Sequence, residues 1–181
     1  MPSCRTPLRF AALMCATTAC WGQRNPCAPK LAGPLRTKAA SLIDAIVHTD
    51  GESLLRSLAK SGLMIGDNSP TSVAAVRQQF SSKTGLFCLF FDSSCMSAPS
   101  NNLLWSTDVV LKELTVSYRE WLKAAGTPKL EVVFLDAPVT KYCGASVMVF
   151  AERAAVPANI EFAFVYLRGS WNLYQIGEIA P

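Results

Sequence analysis

Histidine is nearly missing: His48 is the only imidazole in 181 residues. That excludes catalytic zinc held by two or three histidines. It also means that any Ser-His-Asp or Cys-His nucleophile arrangement must use this one residue. No Cys-x-x-Cys pair occurs, and no cysteine lies close to His48 in sequence, so zinc-ligand spacing is absent. There is no glycine-rich phosphate loop, no nucleophile motif and no low-complexity block. No cofactor and no metal are therefore expected. Charge is also scarce: 17 basic and 13 acidic residues are scattered along a chain that is half hydrophobic. That balance argues against nucleic acid or an anionic membrane surface as partner.

What is present starts at the first residue. In MPSCRTPLRFAALMCATTAC, Arg5 and Arg9 precede a short apolar run, Phe10 to Ala16, followed by small residues up to Cys20. A positive start, an apolar centre too short to span a bilayer and a small-residue end make an export signal over residues 1–19. Thr17-Thr18-Ala19-Cys20 resembles the cleavage box of bacterial lipoproteins, which implies lipidation of Cys20. Thr17 departs from that box, where leucine is usual, and ordinary cleavage after Ala19 or Gly22 competes with it. The expected location is periplasmic or anchored to the outer membrane. No later segment is long and apolar enough to cross a membrane. Removing residues 1–19 takes away two arginines and no acid, leaving a net charge of +2 on 162 residues. The expected organisation is a flexible linker over 20–36 and one α+β domain over 37–181.

Export decides how the cysteines are read. Cys4, Cys15 and Cys20 belong to the signal or its end, which leaves Cys27, Cys88, Cys95 and Cys143. Four cysteines in an oxidising compartment favour two bridges and allow three connectivities. A Cys88–Cys95 bridge requires the chain to reverse, because six extended intervening residues would hold the two Cα atoms too far apart. Cys88 as a free buried thiol is the alternative.

Apolar spacing at Ala39, Leu42, Ile43, Ile46 and Val47 predicts a helix from Thr37 to about His48. Thr49 with Glu52 reads as a capping box for a second helix ending by Gly62. Leu63-Met64-Ile65 reads as a short strand, and Ser69-Pro70 as the start of a third helix. Leu86–Phe91, almost wholly apolar, reads as a strand buried on both faces. Leu111 to Ala125 marks a fourth helical region, with Ser117-x-x-Glu120 able to cap a fresh start and Gly126 ending it. After Pro128 the period becomes two: Leu130–Leu135, Ala145–Ala151, Ile160–Leu167 and Trp171–Ile179 read as strands, with a hairpin turn at Arg168-Gly169-Ser170.

Helices first and strands last imply α+β, with three to four helices on a curved antiparallel sheet. This order over residues 37–181, with the closing hairpin Phe162–Leu167 to Trp171–Ile176 and its Gly169-Ser170-Trp171 start, resembles the nuclear-transport-factor-2-like superfamily (NTF2-like). The resemblance implies a cone-shaped fold in which helices pack into a strongly bent sheet, with residues 103–125 as an insertion. In cone folds that act as isomerases or dehydratases, an acid or histidine and a tyrosine project into an apolar cavity. That implies Asp92, His48 and Tyr118 as catalytic candidates, with Tyr142 and Tyr166 of the same type.

Each candidate has a plainer reading. His48 ends a helix, where it can cap carbonyls; a general base there would need a facing acid such as Asp92 or Asp136. Asp92 follows an apolar run and can cap its loop. Tyrosines and Trp105, Trp121 and Trp171 most often fill cores. Glu113 and Glu120, seven apart on a helix, more often face solvent than form a catalytic pair. Ser57-x-x-Lys60, Gly66-Asp67-Asn68 and Lys83-Thr84-Gly85 resemble the penicillin-binding and β-lactamase set. They fall within one stretch of 29 residues with Ser57 inside a helix, so the match is a coincidence of spacing.

The expected role is an exported, non-catalytic binding module for a small apolar ligand or an envelope protein. The alternatives are a small cofactor-independent isomerase- or hydrolase-type enzyme with an acid–tyrosine pocket, and a periplasmic inhibitor or immunity-type protein. Two bridges in the mature chain predict that its mass rises by four hydrogens on reduction; four free thiols before reduction would reject the pairing.

Overall fold

Why the helices and strands sit where they do follows from a few local conflicts. The computed structural model describes residues 28–66, 69–95, 116–135, 143–150 and 159–179. Among them run helices α1 (Ala28–Val47) and α2 (Gly51–Ser57), strand β1 (Met64–Ile65), helices α3 (Val73–Ser82), α4 (Leu86–Phe91) and α5 (Tyr118–Ala125), and strands β2 (Lys129–Phe134), β3 (Cys143–Phe150), β4 (Asn159–Leu167) and β5 (Ser170–Ile179).

Helix α1 begins nine residues before Thr37, so the expected linker is helical from Ala28 onward, and Pro34 lies inside it. Proline removes one intrahelical hydrogen bond, but Leu35 beside it is fully buried together with Ala39, Leu42 and Ile46. That stripe holds the helix on the core. The turn into α2 puts Thr49 at φ +62°. A left-handed residue cannot take the extended backbone of an N-cap, so Asp50 caps instead, accepting from Ser53 N at 2.9 Å. Likewise α3 is capped by Ser72 rather than opened by Ser69-Pro70. Thr71 exchanges backbone hydrogen bonds with Leu63 at 2.8 and 2.9 Å and stays extended, which delays the helix.

Leu86–Phe91 is the largest local departure: it is a helix, not a strand. An unbroken apolar run carries no period, so a strand buried on both faces and a helix buried all round look alike. The surroundings decide. Gly85 turns the chain at φ +53°, and Gln79 Oε1, on the preceding helix, accepts from Leu86 N at 2.8 Å. Leu86, Cys88, Leu89, Phe90 and Phe91 are all buried. The helix and the 3-10 turn Ser93–Cys95 supply the reversal that the Cys88–Cys95 disulfide needs, with Cα atoms 5.5 Å apart. Cys143 is also disulfide-bonded; Cys4, Cys15, Cys20 and Cys27, the signal segment and its lipidation site lie outside the described residues. So do Trp105, Glu113, Asp136 and Tyr142 and most of the 103–125 insertion.

The five strands form one sheet in the order β1-β5-β4-β3-β2. Neighbours from β2 to β5 are antiparallel, but β1 joins β5 in parallel, Met64 opposite Gln175, so the sheet is mixed. It is open and not strongly curved, with β1 and β2 as its two edges. This overturns the cone expected from the NTF2-like resemblance. A cone needs bending that accumulates along the strands. Here the β4–β5 ladder shifts register once, between Ala163 and Phe164, and the β2–β3 and β3–β4 ladders keep register throughout. The β4–β5 hairpin does form, with Arg168 at φ +51° and Gly169 at +84°, the two positive values a tight two-residue turn requires.

One sheet face carries Ala145, Val147, Val149, Phe162, Phe164, Leu173 and Ile176, which join Leu42, Ile46, Leu54, Trp121 and Leu122 from the helices in one core. Two polar ties position α1 across it. Trp171 Nε1 donates to the Leu31 carbonyl at 3.2 Å, and Arg36 Nη1 donates to the Leu130 carbonyl on edge strand β2 at 3.0 Å.

Gly62 tests this frame. It sits at φ +100°, and a Cβ there would lie 2.3 Å from the Thr71 carbonyl oxygen. Gly62→Ala is expected to cost about 2 kcal/mol or more in urea unfolding, combining backbone strain with a clash. Gly126→Ala, at φ +70° with nothing within 4 Å of the added atom, is expected to cost only the strain, about 1 kcal/mol.

Candidate functional site

His48 follows the last residue of α1. Its Nδ1 lies 2.9 Å from the Asp44 carbonyl oxygen and 3.0 Å from the Asp44 carboxylate, and both side chains are about two-thirds or more exposed, 68% and 73%. That is the helix-end role, one turn back along the same helix.

Asp92 and Tyr118 lie on the two elements of the α4–α5 junction, Asp92 at the end of α4 and Tyr118 at the start of α5. Asp92 sits at the C-cap of α4, and its Oδ1 accepts from Ser94 N at 2.9 Å and Ser94 Oγ at 2.6 Å. These hydrogen bonds, helped by the charges of Arg119 and Lys83, hold its carboxyl below the ordinary value. Tyr118 opens α5 and is buried, its ring 5.4 Å from that of Phe90. The acid is turned into its own loop and the phenol into the core.

Around them is a polar cluster that ties the disulfide loop to α5. Ser117 accepts from Glu120 N and Glu120 accepts from Ser117 N, the reciprocal capping box legible in the sequence. Ser93 Oγ donates to Glu120 Oε2 and accepts from Ser117 N at 2.7 Å. Ser93 had no sequence signal of its own, because its role depends on the chain reversal before it. The Ser93 hydroxyl is the main reason the Glu120 carboxyl is held low. Arg119 Nη1 adds a bond to the Phe91 carbonyl at 3.3 Å. Tyr166 stacks edge-on against Trp171 at 5.2 Å, and Trp121 and Trp171 are buried core residues.

Among the described residues, two open grooves lie beside α1. A groove of about 530 Å³ between α1 and α2 is lined by Lys38, Ser41, Asp44, Asp50, Ser53 and Arg56, with Ala45 and Ser57 among its walls. On the other flank of α1, a groove of about 340 Å³ is walled by Ile43, Val47, Thr127, Pro128 and Leu130. Ala40 and Asp44 line both. A smaller hollow of about 250 Å³, between α2, α3 and α4, is spanned by an Arg77–Glu52 ion pair at 2.7 Å. Lys38 is half-buried, and loss of hydration lowers its ammonium pKa. Sequence reading missed these grooves because their walls come from segments about 85 residues apart and from helix flanks that look like ordinary solvent faces. Among the described residues no group of three or more His, Cys, Asp or Glu is placed to hold a metal.

The α4–α5 cluster has a measurable consequence. Ser117→Ala removes the cap acceptor and is expected to cost about 1 kcal/mol in denaturant unfolding. The carboxyls of Glu120 and Asp92 are both lowered in the folded chain, so what they contribute is present above their ordinary values of 4.5 and 3.8. It is lost as pH falls through the lowered folded values. The melting temperature is expected to fall below pH ~4.5, and less steeply in Glu120→Gln. An equal slope in both proteins would remove Glu120 from this account.

No family model and no curated protein matches the chain. Among solved structures it is similar to that of Rv3472, a protein of unknown function from Mycobacterium tuberculosis, at 10% identity. The match covers 82% of this chain and 70% of that one, with a TM-score of 0.40.

Proposed function

We propose that the chain is an exported, non-catalytic binding module of the cell envelope that seats an apolar ligand in the groove between α1 and β2. The observation that carries this is the groove itself, where Ile43, Val47, Pro128 and Leu130 form apolar walls around about 340 Å³ of open space. Ile43, Val47 and Leu130 are half-buried at the margin of the core rather than sealed inside it. Apolar walls with few polar groups suit a small apolar molecule. The residue types that suggested catalysis support the reading from the other side. His48 pairs with Asp44, Asp92 closes its own turn, and Tyr118 packs against Phe90.

Export rests on residues 1–19 and on oxidised cysteines, since Cys88, Cys95 and Cys143 are disulfide-bonded. Structural disulfides persist in oxidising compartments and are rare in the cytosol. Among the described residues no helix is long and apolar enough to cross a membrane.

The test uses N-phenyl-1-naphthylamine, a neutral apolar dye whose fluorescence rises on transfer out of water. The wild-type protein is expected to enhance it saturably. Ile43→Asp and Val47→Asp are expected to weaken dye binding by about tenfold or more each, with circular dichroism and melting behaviour retained. Saturable enhancement that survives both substitutions would place the dye elsewhere and end this reading.

A further inference from the structure

The two grooves beside α1 are parts of one surface. At 100° per residue, Leu35, Ala39, Leu42 and Ile46 cluster within about 60° and face the core. Lys38, Ser41 and Ala45 fall on one flank, and Ile43 and Val47 on the other. Asp44 lies almost opposite the core stripe, with Ala40 one turn before it. These two residues line both grooves, so together they form the crest between them. At Ala40 that crest is no higher than a methyl group.

The grooves differ in chemistry. The one toward β2 is mainly apolar, with Asp44 at its rim; the one toward α2 carries two cations, Lys38 and Arg56, and two anions, Asp44 and Asp50. The charges are ordered along the helices. Lys38 precedes Asp44 by six residues on α1, and Arg56 follows Asp50 by six on α2, each a rise of about 9 Å. The acids lie toward the α1–α2 turn and the bases away from it. The other polar bonds of the groove leave room for a ligand at the basic end. Arg56 Nη2 donates to Ser53 Oγ at 2.8 Å, and Lys38 makes no ion pair among the described residues. A half-dehydrated ammonium without a carboxylate partner gains from an incoming anion.

We propose that the ligand is a single-chain amphiphile with a zwitterionic phosphate–ammonium head. Its tail lies in the α1–β2 groove, and its head crosses Ala40 into the α1–α2 groove. The phosphate meets Lys38 and Arg56, and the ammonium meets Asp44 and Asp50. A lining with equal numbers of cations and anions favours a head of no net charge over an anionic one. This rests on the apolar-groove reading for the tail; the head assignment stands or falls separately.

The experiment titrates the full mature protein with monoacyl probes of one chain length, below their micelle concentrations. Lysophosphatidylethanolamine carries the zwitterionic head, lysophosphatidylglycerol an anionic head and monoacylglycerol a neutral one. Glycerophosphoethanolamine is the head without a tail. The zwitterionic probe is expected to bind about tenfold more tightly than the neutral one. Lys38→Gln and Asp50→Asn, neither at a residue of the apolar groove, are each expected to remove most of that advantage while leaving monoacylglycerol and dye binding unchanged. Ala40→Trp, which raises the crest, is expected to abolish the advantage of the zwitterionic probe over the neutral one. Equal affinity for zwitterionic and neutral probes would overturn the head assignment and leave the apolar groove standing. Tighter binding of the anionic probe would overturn the zwitterion in favour of simple attraction to Lys38 and Arg56. Failure of every tailed probe, together with the dye, would remove both readings.

Discussion

Burial of one stripe of α1 against the sheet is the constraint on which the other contacts depend. Leu35, Ala39, Leu42 and Ile46 are all sealed from solvent, over a helix that spans about 30 Å. Four such side chains outweigh the hydrogen bond lost at Pro34. The stripe also explains why the helix does not wait for Thr37. Leu35 belongs to the same face, and leaving it in a linker would expose a large apolar side chain beside the core. Trp171 and Arg36 then fix where α1 crosses, one bonded to the Leu31 carbonyl and the other to the Leu130 carbonyl. Both ties join positions about a hundred residues apart or more, so they form only after the sheet exists.

That docking has a consequence for the surface. A helix with a narrow buried stripe leaves two flanks, and each flank faces a different neighbour. On one side the neighbour is α2, which begins within four residues of α1 and is capped by Asp50. On the other it is the start of β2, where Pro128 and Leu130 come up against Ile43 and Val47. The unlike chemistry of the grooves is therefore set by unlike neighbours: a capped polar helix on one side, a half-buried edge strand on the other. β2 is also where Val133 stands exposed among the described residues, with Leu135 following the strand end.

Sequence patterns are most readable where a signal is local. The Ser117–Glu120 capping box, Gly126 as helix stop, the three long strands and the Arg168-Gly169 turn each follow from a few adjacent residues. They become unreadable where a second segment decides. Leu86–Phe91 has the composition of a buried strand and becomes a helix because Gln79 caps it and Gly85 turns the chain. Thr49 loses the capping role to Asp50 because the α1–α2 turn claims its backbone. The sheet departs from expectation at a larger scale. The order of elements fits a cone, but curvature depends on bulges and on how edges pair, and the parallel addition of β1 to β5 leaves an open mixed sheet. The acid, histidine and tyrosine candidates are visible in the sequence; their duties are not, because a cap and a general base use the same atoms.

An open groove also limits what can bind. Burying about six methylenes in the α1–β2 groove contributes about 5 kcal/mol before any cost of immobilising the ligand. Alone, that corresponds to a dissociation constant of about 0.2 mM at best. The polar groove is no stronger by itself, since Asp44 and Asp50 are exposed and attraction between exposed charges is screened by water and salt. Joined across Ala40, the two halves act as one bivalent site, because the second contact forms at the high effective concentration set by the first. Selectivity then comes from requiring both. A plain hydrocarbon lacks the charges, and a free polar head lacks the buried methylenes. The methyl-height crest at Ala40 is the feature that permits a single molecule to satisfy both grooves.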